Sequence, residues 1–447
     1  MSLLLNPLDR RHRHRQSFPI VPGAYPLLGH LPAILCDLPA FLRRAEAAFG
    51  EHFWLDFGPA GPLLTCVHLE AFALLRNRDV SSALIGEIAP ELLGGTLVAQ
   101  DGGAHRQVRE ALKSAFLPKG LHQAGIGELF APLLEARVQA WRDQGEVIIL
   151  RETGDLMLRL IFGLMGISAQ DLPRWHRQYK QLLQLIVAPP IDLPGLPLRR
   201  GRAARAWIDT RVREFISEAR ADRARSGLLN DMVASFDQSG QALSDDALVA
   251  NIRLLLLAGH DTTASTMAWI VIELARQPGV WEALVEEALS LGEVPLRPED
   301  LARCPVAEAL FRETLRVHPA TTLLPRRALQ DLQLGDRHIP AGADLCIPHL
   351  HFSRSAQLYE APDEFRLTRW LQRTEPIRPV DMLQFGTGPH VCIGYHLVWL
   401  ELVQFSIALA LVMQGAGLRP RLLGDVEKGR RYYPTAHPSS AIRIGFS

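Results

Sequence analysis

The sequence of 447 residues predicts a mainly α-helical fold with small β-sheets at one side. Three observations carry that prediction. From about residue 104 to residue 318 the apolar positions recur at helical spacing almost throughout. Short strand-like runs occur near 53–57 and 63–67, and again after about 330, broken by Gly and Pro. One more helix is expected from about 393 to 413, and the chain end near 432–445 reads as a hairpin.

The lead-in 18–32 carries four prolines and reads as extended chain. It is preceded by the basic run Arg10-Arg11-His12-Arg13-His14-Arg15. Segment 1–17 is expected to be solvated and mobile, and 18–447 to form a single domain, although length alone would suggest about three domains of ~150 residues. The strongest helix spans 244–277. Ser244 with Asp245 and Asp246 makes an N-cap and an acidic first turn, and Pro278 ends it. At 1.5 Å per residue it is about 50 Å long, enough to cross the molecule. Its middle, Gly259-His260-Asp261-Thr262-Thr263, opposes helix propensity, and such local rule-breaking is expected at functional sites.

Composition narrows the function. Hydrophobic residues make up 48% and charged residues 21%, as in ordinary globular proteins. Lys plus Arg and Asp plus Glu are each 48, so the net charge is zero and nothing favours a nucleic-acid partner. No run of ~18 uncharged apolar residues occurs, so no transmembrane segment is expected. Met1-Ser2-Leu3-Leu4-Leu5 is too short for a signal-peptide core, and a cytoplasmic protein is expected. The cysteines, Cys36, Cys66, Cys304, Cys346 and Cys392, are odd in number and lack a C-x-x-C pair. They suggest neither a disulfide framework nor a zinc or iron–sulfur set.

Cys392 stands apart. It lies in Phe385-Gly386-Thr387-Gly388-Pro389-His390-Val391-Cys392-Ile393-Gly394. Gly386, Gly388 and Pro389 forbid a helix before it, so this is a shaped loop. Free N–H groups and the dipole of the following helix favour a thiolate there. Gly394 lets a flat ligand lie against the backbone, and Phe385 can shield the sulfur. A thiolate in such a loop suits haem iron. The decapeptide resembles the F-x-x-G-x-H/R-x-C-x-G loop of the cytochrome P450 family.

The resemblance extends to three more motifs in the family's order. In Asp101-Gly102-Gly103-Ala104-His105-Arg106-Gln107-Val108-Arg109, His105 and Arg109 share one helix face and are similar to haem-propionate donors. His390 and Arg326 match two further donors, with Arg327 the alternative to Arg326. Ala258-Gly259-His260-Asp261-Thr262-Thr263 resembles the family's oxygen-binding helix. There a small residue at Ala258 or Gly259 leaves room for dioxygen. Thr262 breaks the helical hydrogen bonding and holds water near the iron, and Asp261 passes protons inward. Glu313-Thr314-Leu315-Arg316 with Arg369 implies a buried network bracing the cysteine loop, with Leu367 where the family often has proline. Val398-Trp399 stands where the family often has Ala-Arg, on the face that a redox partner approaches.

The resemblance implies a P450 fold with haem b between the long central helix and the cysteine loop, and Cys392 as metal ligand. It implies a monomeric monooxygenase that inserts one oxygen atom of O2 by hydroxylation or epoxidation. Its electrons come from NAD(P)H through a separate reductase system ending in a ferredoxin or flavodoxin-like protein, since no Gly-rich nucleotide loop is present. Leu84, Ile85, Leu254, Leu257, Ala258, Thr321 and Leu323 are expected to line an apolar pocket, with candidates also in 182–198 and the segment 182–191 as part of a lid. The substrate expected is an apolar terpenoid, polyketide or fatty-acid derivative of secondary or lipid metabolism. The alternatives are a peroxide-using or isomerising haem-thiolate enzyme and a non-catalytic haem sensor.

Overall fold

A computed structural model describes residues 18–447 apart from 168–170, 187, 189–190, 223–226, 235–239 and 433–434. The basic segment 1–17, expected to be mobile, and part of the lid segment lie outside the described residues. The proline-rich lead-in docks rather than dangles. Ile20 bridges Trp54, and Tyr25 and Gly29 exchange two backbone hydrogen bonds before the helix Leu31–Phe49 begins.

The two predicted early strands are present. His52–Asp56 pairs antiparallel with Pro62–Cys66, from His52 opposite Cys66 to Asp56 opposite Pro62. They form one edge of a five-stranded sheet whose order continues through Asp344–Ile347 and Leu324–Ala328 to Val80–Ser81. Alternation along Leu324–Ala328 buries Arg326 and Ala328 and turns Arg327 the other way. A second sheet joins Glu146–Ile148, Arg443–Phe446 and Pro420–Leu423.

Among the described residues of 432–445 the expected hairpin does not form. Arg443–Phe446 pairs with Pro420–Leu423 and Glu146–Ile148 instead, and Arg431 meets His437 in a single bridge. Pro438 has no N–H with which to extend that ladder past His437. Beside the bridge the chain lies against the central helix: the Ser265 hydroxyl donates to the Ala436 carbonyl at 2.7 Å.

The central helix runs Asp245–Arg276. The Ser244 hydroxyl accepts the Ala247 N–H, as an N-cap should. Most of its residues are buried, with the helix Ile149–Leu164 packed alongside. The helix Tyr395–Gly415 is buried without interruption from Leu400 to Ala410 and packs against Ile126–Gln144. By length and composition it alone among the described residues could cross a membrane. The expectation that no uncharged apolar run of that length occurs is kept: Glu401 and Gln404 interrupt this one, and most of it is buried within the protein. An all-round apolar helix of this kind is here a core helix.

Candidate active site

The loop before Cys392 is set by two glycines in the left-handed region, Gly386 at φ 69° and Gly388 at φ 66°. A Cβ at Gly388 would come within 3.1 Å of the Leu75 carbonyl oxygen. The Cys392 N–H closes the loop by donating to the Phe385 carbonyl at 2.7 Å. Phe385 is buried, its ring edge-on to Tyr395 at 4.9 Å and beside Phe311 at 6.2 Å. Cys392 itself is exposed. The surrounding protein nevertheless desolvates the sulfur.

The electrostatics of that sulfur differ from expectation. The following helix starts at Tyr395, so Cys392 precedes its N-cap, Gly394, by two residues. Burial raises the thiol pKa, and the Gly394 N–H and the Arg109 charge oppose it without prevailing. The loop by itself therefore moves the thiol above its ordinary value rather than below it.

Arg109, His105, His390 and Arg326 converge beside the loop. The Arg109 Nη1 donates to the Val391 carbonyl at 2.8 Å. The His105 and His390 rings lie 4.3 Å apart. His105 by itself is not the cation expected: burial, then the neighbouring His390 and Arg109, lower its pKa to about 4. It is a buried neutral imidazole whose Nε2 has no hydrogen-bond partner among the described residues. His390 Nε2 lies 3.1 Å from Asp101 Oδ1. Burial alone would raise the Asp101 pKa, but hydrogen bonds from His390, the Ser81 hydroxyl and the Ser82 N–H hold it well below the carboxylate range.

The choice between the two arginines is resolved by the sheet. Arg327 is tied to Asp344 and Glu87. Arg326 is buried, and the one hydrogen bond of its side chain among the described residues reaches the adjacent Pro325 carbonyl. Burial lowers its pKa to about 10, with Asp101 opposing.

These features suit a flat, dianionic ligand at the sulfur. A buried guanidinium with one neutral acceptor and a buried imidazole nitrogen with none can serve carboxylates. Gly394 is in an ordinary conformation at φ −83°, and a Cβ there would meet only the Cys392 sulfur, at 3.9 Å. The protein itself does not demand glycine at that position; a planar group lying on the loop does.

Behind the loop, Glu313 is fully buried and collects the Arg316, Arg369 and Trp370 side chains and the Arg366 N–H. Arg316 also donates to the carbonyls of Ser353, Pro362 and Glu364. Leu367 adopts helical angles at the start of Thr368–Leu371, so the missing proline leaves this geometry intact. Trp399 packs under the Arg312 guanidinium at 5.7 Å.

On the central helix, Ala258 is exposed and Thr262 partly exposed amid buried neighbours. Two expectations change here. The helix is not broken: the Thr262 hydroxyl donates to the Ala258 carbonyl at 2.7 Å, a back-bond compatible with a continuous helix. Gly259 is not on the open side, because a Cβ there would lie 3.4 Å from Ile161 Cδ1 of the neighbouring helix. Asp261 turns away from Thr262 toward His437, 3.3 Å from its Nε2. Burial would raise the Asp261 pKa, but His437 and Thr435 hold it low.

Of the proposed pocket residues, Leu84 shares a cluster with the half-buried Leu323, and Ile85 and Thr321 are half-buried. Leu254 and Leu257 are packed into the main core. Sequence reading passed over Asp101, Ser81 and His437. Asp101 carried a signal, an N-cap residue before a helix, yet its carboxylate goes to Ser81, Ser82 and His390 and caps nothing.

Residues 19–414 match the family model described as "Cytochrome P450". A "Cytochrome P450 BJ-4 homolog" of Sinorhizobium fredii is 78% identical, and "Cytochrome P450 BJ-4" of Bradyrhizobium diazoefficiens 74%, each over 100% of both chains. The solved structure of a retinoic-acid-bound cyanobacterial CYP120A1 superposes with a TM-score of 0.83 at 24% identity, covering 96% of this chain and 99% of that one.

Proposed function

The chain belongs to the cytochrome P450 family, and from that premise we propose that it is a haem-thiolate monooxygenase hydroxylating an apolar terpenoid. Membership implies haem, dioxygen and an electron donor. The observation that carries the reading is the exposed Cys392 at the end of a glycine-shaped loop, flanked by Arg109, His105, His390 and Arg326. Cys392 would ligate the iron of haem b, and those four side chains would hold its propionates.

Bound there, thiolate-ligated haem supplies O2 activation and O–O cleavage, for which this family is the standing example. The chain's own residues supply the rest. Phe385 and its aromatic neighbours exclude water from the sulfur side. Arg109 and the Gly394 N–H stabilise negative charge on it. Ala258 leaves space on the opposite side, and the Thr262 hydroxyl oxygen can accept a proton-bearing water there. The proposed substrate class is supported by the apolar candidate pocket residues and by relatives named "Taxane 10-beta-hydroxylase" (26% identical) and "Cyclooctat-9-en-7-ol 5-monooxygenase" (27%). We place the enzyme in the cytoplasm as a monomer, with electrons from NAD(P)H delivered by a ferredoxin.

The test combines a spectrum with turnover. The reduced protein under carbon monoxide should show the strongly red-shifted Soret band, and Cys392→Ser should lose it, since an alcohol is a poor anion. Cyclic terpenoid hydrocarbons should shift the ferric spin state and yield a monohydroxylated product with ferredoxin and reductase. Retention of the band in Cys392→Ser would overturn the ligand assignment. Productive turnover of small charged metabolites alone would overturn the substrate class.

A further inference from the structure

The C-terminal loop brings a residue outside every motif to the central helix. His437 Nε2 lies 3.3 Å from Asp261 Oδ2. The contact is an ion pair, and among the described residues Asp261 Oδ2 has no aligned hydrogen-bond partner. The loop is held at this spot from three sides. The Ser265 hydroxyl donates to the Ala436 carbonyl, the Ala436 N–H donates to the Ala320 carbonyl, and Arg431 and His437 exchange backbone hydrogen bonds. Ser265 sits one helical turn beyond Asp261, so one stretch of helix both carries the carboxylate and fixes the imidazole's approach.

The other groups around Asp261 cannot take this place. His260 points to the opposite flank, its Nε2 on the Gly154 carbonyl and its ring against Tyr179 and His176. Burial lowers its pKa to about 4, so it stays neutral. His176 itself is engaged by Asp155. Thr435, on the same loop as His437, bonds to the Asp261 carboxylate but has no titrating proton. The His437 side chain keeps one-fifth of its surface in solvent and touches a carboxylate that is mostly buried. It therefore joins water outside to Asp261 inside.

We propose that His437 is a positioning residue and proton donor for Asp261, acting through that carboxylate on the proposed monooxygenase reaction. As imidazolium it holds Asp261 ionised and turned away from Thr262. Transfer of its Nε2 proton to Asp261 Oδ2 leaves a neutral imidazole and a neutral acid. The ion pair is then gone, and the acid is free to swing and give the proton to water at the Thr262 hydroxyl. His437 regains its proton from solvent. One proton moves per cycle of the pair, and no electron is required from it.

The test uses His437→Gln in the haem-loaded full chain and has two readouts. The first needs no turnover. In infrared spectra, the protonated-carboxyl band that Asp261→Asn abolishes should appear in His437→Gln at a pH higher by about one unit or more than in the parent, because burial then acts on Asp261 without its cation. An unmoved band overturns the proposal even if the protein proves not to be a monooxygenase. The second is product formed per electron consumed. His437→Gln should keep the parent's carbon monoxide spectrum and substrate spin shift. It should lose about five- to tenfold in product rate, show a larger solvent isotope effect, and lose the parent's pH dependence between about pH 5 and 8. Parent-like rate and pH profile in His437→Gln would reduce the residue to a packing role. Absence of product from the parent itself would instead overturn the monooxygenase reading.

Discussion

Glu313→Gln isolates what the buried network behind the cysteine loop contributes. Glu313 accepts five N–H groups: Arg316 Nε and Nη2 at 2.9 Å each, Arg366 N at 2.8 Å, Arg369 Nε at 3.3 Å and Trp370 Nε1 at 2.8 Å. Oε2 serves Arg316 Nε and Trp370, while Oε1 serves the other three. A glutamine would place its amide nitrogen at the Oε2 position, where fewer donors are opposed. Two buried donors then lose their acceptor, and the Arg316 charge, almost wholly buried, loses its counter-ion. Removing one partner of a buried pair costs about 3–5 kcal/mol. Arg316 keeps three backbone carbonyls, which argues for the lower end, about 3 kcal/mol. With a urea slope of about 3 kcal/mol per M, the unfolding midpoint should fall by about 1 M. Tryptophan fluorescence can follow it, and an Arg316→Gln cycle should show strong coupling. A midpoint within about 0.2 M of the parent would show that the network is electrostatically idle and that packing alone supports the loop.

Two further outcomes are expected. Thr262→Ala should retain the carbon monoxide spectrum but divert electrons from product to hydrogen peroxide; full coupling at the parent rate would leave the hydroxyl as no more than the back-bond to Ala258. His349 is buried with neither ring nitrogen partnered among the described residues, and burial, then Arg326, lowers its pKa to about 3. The unfolded imidazole titrates near 6.5, so the unfolded chain binds a proton that the folded chain refuses as pH falls from about 6.5 toward 3. That stability is present above pH 6.5 and is lost through this window by up to about 1.4 kcal/mol per pH unit. His349→Phe should therefore flatten the midpoint-versus-pH curve between pH 6 and 4.5 by roughly one proton, and an identical slope would refute the assignment.

Much of this molecule is legible along the chain because the signals are local. Helix spacing, the Ser244 cap and the strand runs at 52–56 and 62–66 depend on neighbours a few residues apart. The cysteine loop is written in its own glycines, whose positive φ angles need no distant partner. The Glu313–Arg316 pair is one helical turn. What the sequence could not decide depends on which distant segments meet. Whether Arg326 or Arg327 turns inward was fixed by its strand's place beside Asp344–Ile347. Gly259 faces Ile161 only because two helices pack there. The charge state of His105 follows from burial against His390, 285 positions away in the chain by residue number. The apolar run that ends in Arg443–Phe446 shows no periodicity that names its partners, Glu146–Ile148 and Pro420–Leu423. The same is true of Asp261 and His437. Each residue type is readable alone, but an ion pair across 176 positions exists only because Ser265 and Ala320 hold the C-terminal loop against the central helix. Desolvation and long-range pairing are properties of the packed interior, so the sequence determined the chemistry on offer and the tertiary structure determined which groups could use it.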